Sequence, residues 1–68
     1  SGLNDGAAAM YIASGTAVKK YGLLPKAKII CSAVVGVEPR IMGIGPVKAI
    51  QKTLSRSAIS LENIDVIE

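Results

Sequence analysis

At 68 residues the chain has room for one small unit, and a chain this short buries only about 60% of its extended surface on folding. Half of its residues are hydrophobic, yet it has no Phe or Trp, a single Cys and no His, which excludes an internal disulfide, the commonest metal ligand and the large anchors of small independent domains. The net charge of +3 comes from eight basic residues scattered without a block or interleaved aromatics, a distribution that fits solvated helix faces and argues against nucleic-acid binding.

Ser1 to Gly6 has turn composition, with two glycines and an Asn-Asp pair able to bond their own backbone. Ala7 to Ala13 is apolar without polar alternation, which predicts a short strand buried on both faces. Ser14 then caps a helix through Tyr21, with Val18 and Tyr21 inward, Lys19 and Lys20 outward, and Gly22 as the stop. Leu23-Leu24-Pro25 breaks the chain, because proline biases the residue before it to an extended conformation. A boundary between two structural halves is expected there.

Ala27 to Val37 is β-branched and long enough for a central strand. Cys31 sits within it, with no electropositive neighbour to activate a thiol, and is expected to be a small buried apolar residue. After a turn at Glu38-Pro39 comes a loop carrying Ile41, Met42 and Ile44 between glycines. A loop facing only water has no reason to hold three such side chains, so it is expected to be covered by other chain or to line an apolar pocket. From Pro46 the period becomes helical: Val47, Ile50 and Leu54 share an inner face, while Lys48, Gln51, Lys52, Ser55 and Arg56 take the outer one. Ser60 can cap a single turn ending at Asn63, and Ile64 to Glu68 starts another strand. Strand, helix, strand, helix, strand is the order of an α/β fold with right-handed crossovers.

Gly43-Ile44-Gly45 before a helix invites a dinucleotide fingerprint, but Lys48 stands where the third glycine should be and Pro46 removes an amide that a phosphate would use. A phosphate P-loop fails because Pro46, not Lys, follows Gly45. An RNA-binding KH module needs two residues between its glycines and here there is one, although Ile41 to Gln51 is otherwise similar. No acid/base pair, nucleophile with a base, or metal constellation can be assembled, so the chain alone is expected to catalyse nothing and to bind no metal. No apolar run approaches the ~20 residues of a bilayer span. The expected setting is intracellular, the cytoplasm or an organelle, without membrane or nucleic-acid partners.

Two separated stretches are similar to one family. Ser1-Gly2-Leu3-Asn4-Asp5-Gly6-Ala7-Ala8-Ala9 resembles the thiolase Ser-Gly-x-Asn-Asp-Gly-Ala-Ala motif, and Gly36-Val37-Glu38-Pro39-Arg40-Ile41-Met42-Gly43-Ile44-Gly45-Pro46-Val47 resembles its Gly-Val-(Asp/Glu)-Pro-x-x-Met-Gly-x-Gly-Pro segment. Leu61 to Glu68 is similar to the stretch before the family's Asn-Glu-Ala-Phe motif. The chain departs from the pattern at Lys48, where the family often has Pro or Ala, and at Gly15, where a helix former is usual.

The resemblance implies an α/β, thiolase-like fold, a mixed sheet between helices, of which only part is present. Residues 1–25 would be the last strand and exit helix of the N-terminal domain, and residues 26–68 the start of the C-terminal domain. It implies an acyl-CoA C-acyltransferase parent, a homodimer or homotetramer, in which a cysteine is acylated by a 3-ketoacyl-CoA. Coenzyme A or a second acetyl-CoA, as substrates and with no further cofactor, completes cleavage or Claisen condensation. The family's catalytic groups fall outside this window, and Cys31 matches none of them. What carries over is substrate binding: Ser1, Gly2 and Leu3 match the loop beside the pantetheine arm of CoA, and Met42 the methionine facing the acyl pocket. The alternative is a stand-alone module, KH-like in its sharpest form, or a purely structural piece, and the rest of a thiolase chain is the partner expected of the first reading.

Overall fold

The computed structural model describes residues 2–68. Helix α1 spans Gly15–Tyr21, and helix α2 spans Gly45–Ser57. Two short 3-10 segments, Pro39–Ile44 and Leu61–Asn63, complete the regular structure among the described residues.

Helix α1 forms where its end signals lie. The Ser14 hydroxyl accepts from the Ala17 amide at 3.1 Å and occupies one of the donors that a helix start leaves free. At the other end Gly22 takes a left-handed conformation (φ 62°, ψ 35°), and its amide and that of Leu23 both donate to the Val18 carbonyl. Val18 is half-buried, whereas Tyr21, expected inward, is exposed and has the Lys20 ammonium 5.3 Å from its ring centre.

The loop expected at residues 41–45 is instead two successive 3-10 turns. Glu38 is extended and Pro39 supplies the fixed φ of a first helical position, after which the turns are separated at Ile41 (φ −120°, ψ 30°). The Ile41 amide donates to the Glu38 carbonyl at 3.0 Å, and the Gly45 amide donates to the Met42 carbonyl, so the turns feed straight into α2. Helix α2 therefore starts at Gly45, one residue before the proline that marks it in the sequence.

No strand forms among the described residues, which corrects the expectation at 7–13, 27–37 and 64–68. A strand exists only through hydrogen bonds to another strand, and no backbone bond joins any two of these three segments. The mixed sheet of the expected α/β architecture is accordingly absent, although its helices are present.

Residues 31–37 nonetheless behave as one edge of a layer. Cys31, Ala33, Val35 and Val37 are half-buried while Ser32, Val34 and Gly36 are exposed, the period-two alternation of an extended segment lying on a helix. It runs antiparallel to α2, with Val37 beside Gly45, Val34 beside Lys52 and Ser32 beside Arg56. The face of α2 that receives it is Gly45, Ala49, Thr53 and Ser57, all half-buried and four residues apart. The row of Val47 and Ile50, expected to be the inner one, stays exposed, and Leu54 is half-buried. Small side chains let the segment approach closely, and the large apolar ones are left for a different neighbour.

No described residue is fully buried. The accessible surface is 6878 Å², against about 4,000 Å² for a compact monomer of this mass. The radius of gyration is 16.3 Å, against about 11 Å for a compact chain of this length. Half the composition is apolar, and none of it closes into a core.

Candidate functional site

The turns at 39–44 and the first turn of α2 bend around a cavity of about 420 Å³. Gly36, Val37 and Glu38 form one side, while Ile41 and Ile44 from the 3-10 turns and Val47 and Lys48 from α2 form the other. The sequence explains the arrangement. Pro39 bends the chain away from the 31–37 segment, and Ile44 and Lys48 fall one helical turn apart and so share a face. Ile41, Ile44 and Val47 give the cavity apolar walls, with charge only at Glu38 and Lys48.

Those two charges are in different states. The Arg40 Nε donates to a Glu38 carboxylate oxygen at 2.8 Å, an exposed pair whose contribution to stability is small. Among the described residues no acidic side chain pairs with Lys48. The start of α2 carries no acidic residue in its first turn and no side-chain cap. The cavity lining thus carries one paired carboxylate, one ammonium without an acidic partner among the described residues, and apolar side chains.

Of the residues singled out from the sequence, Ser1 lies outside the described residues. Gly2 and Leu3 are exposed, Leu3 fully, and neither hydrogen-bonds to the cavity residues. Met42 sits on the same turns as Ile41 and Ile44 but is 77% exposed and lies outside the cavity lining. The expectation that this apolar stretch lines a pocket is met by Ile41 and Ile44. Lys48, expected on the outer face of its helix, is exposed, and it also borders the cavity. The signal that could have found it is the four-residue spacing from Ile44, which a pattern starting at Pro46 leaves out.

A second, wider trough of about 700 Å³ lies between residues 33–35, the exposed side of α2 at Ile50 and Leu54, and the terminal residues Ile64 and Val66. Cys31 is half-buried; its thiol lies 3.8 Å from the Thr53 carbonyl and has no basic group to activate it. Among the described residues no cluster of His, Cys, Asp or Glu could hold a metal ion. No helix there is long and apolar enough to cross a membrane.

The turn-to-helix segment around Met42 and the cavity it builds lie inside the region, residues 23–68, that matches the family profile "Thiolase, C-terminal domain". The chain belongs to the thiolase family. It is 54% identical over all 68 residues to a beta-ketoadipyl-CoA thiolase of Pseudomonas aeruginosa, and 52% identical to a 3-oxoadipyl-CoA/3-oxo-5,6-dehydrosuberyl-CoA thiolase of Escherichia coli. A 3-ketoacyl-CoA thiolase of Idiomarina loihiensis is 50% identical over the same span. The whole of this chain is covered in each case, but it spans only 17% of the first two thiolases and 18% of the third. No solved structure matches it.

Proposed function

We propose that these 68 residues serve a thiolase that cleaves 3-oxoacyl-CoA thioesters, or condenses two acetyl-CoA, through an acylated cysteine. The segment contributes walls of the substrate slot and leaves the reacting groups to the rest of the enzyme. The observation that carries this reading is the open cavity at the start of α2: Ile41, Ile44 and Val47, with Glu38 and Lys48, border a space of about 420 Å³ within the stretch that matches the family. An acyl chain entering such a slot leaves water for an apolar wall, which favours binding by about 0.8 kcal/mol for each methylene buried. Met42 lies outside this cavity, and its flexible thioether is assigned to the acyl chain only where the rest of the enzyme closes over the turns. By their resemblance to the family motif, Ser1, Gly2 and Leu3 are assigned to the pantetheine arm, and the names of the relatives supply the thioester substrate class.

The test is CoA-dependent thiolysis of 3-oxoacyl-CoA by a full-length thiolase carrying these residues, with Met42→Ala and Ile44→Asp compared. Met42→Ala raises KM several-fold and Ile44→Asp raises it further, because a charge replaces an apolar wall that the acyl chain would contact. Turnover with unchanged KM in both variants removes the slot from this part of the chain, and specific RNA binding without thiolysis moves the assignment to the KH-like alternative.

A further inference from the structure

We draw no further inference here: the strongest candidate, the apolar trough between residues 33–35, the Ile50 and Leu54 side of α2, and Ile64 and Val66, is an unpartnered face, and nothing in the structure shows what covers it.

Discussion

Ala58 closes α2 in the left-handed conformation (φ 56°, ψ 26°), a place where glycine is the usual occupant. A β-carbon there costs about 1 kcal/mol. Ser57 compensates in part, its hydroxyl donating to the Leu54 carbonyl and accepting from the Ile59 amide. Ala58→Gly is therefore expected to lengthen the lifetime of the last turn, read as a gain in helical circular dichroism of the chain. At α1 the situation is reversed, because Gly22 already supplies the left-handed residue and Ser14 the cap. Ser14→Ala removes the bond to the Ala17 amide and costs about 1 kcal/mol, enough to unravel a helix of 7 residues; loss of amide protection at residues 17 and 18 is the readout. These contrasts show what was legible at this scale. Gly22 announces its stop because the residue type and the conformation agree, while Ala58 gives no sign because a non-glycine residue holds the same conformation.

Both helices were readable as elements because a helix satisfies its own backbone. Ser14, Gly22 and Pro46 mark three of the four ends within a residue, and Ser60 with Asn63 marks the short turn between 61 and 63. The strands were not realised, because the pattern of 27–37 encodes a preference for pairing that only another strand can satisfy. What the sequence does encode survives in the alternation of Cys31, Ala33, Val35 and Val37 against α2. The segment is held there by polar bonds as well: the Lys52 ammonium donates to the Val34 carbonyl at 2.8 Å, and the Arg56 guanidinium donates to the Ser32 carbonyl at 3.2 Å. The spacings match, since four helical residues rise about 6 Å and two extended residues about 6.6 Å. Replacing Lys52 and Arg56 with Met is expected to loosen residues 31–34 from the helix, read as weaker nuclear Overhauser contacts between that segment and α2, with α2 itself retained. Equal contacts in parent and variant would show that packing of the small face alone holds the segment. Which face of α2 would be covered was misjudged for a related reason. Val47, Ile50 and Leu54 are the more hydrophobic row, but Gly45, Ala49, Thr53 and Ser57 permit the closer approach.

At the scale of the molecule the composition and the structure disagree until a larger assembly is considered. A chain that is 50% hydrophobic has a 700 Å³ apolar trough along α2 and no buried residue among those described. Burying one large apolar side chain is worth about 1.5–3 kcal/mol, so leaving Ile50, Leu61, Val66 and Ile67 in water forgoes far more than two short helices supply. The family was legible because its motifs are local runs of sequence; the sheet was not, because a strand needs a partner strand and these segments do not pair with one another. The account rests on the claim that these residues acquire a core only within a complete thiolase. Scanning calorimetry of the isolated chain as a dilute monomer tests it most directly. The expected trace has no cooperative unfolding peak; a single reversible transition with the enthalpy of a 68-residue domain, about 45 kcal/mol, would contradict it.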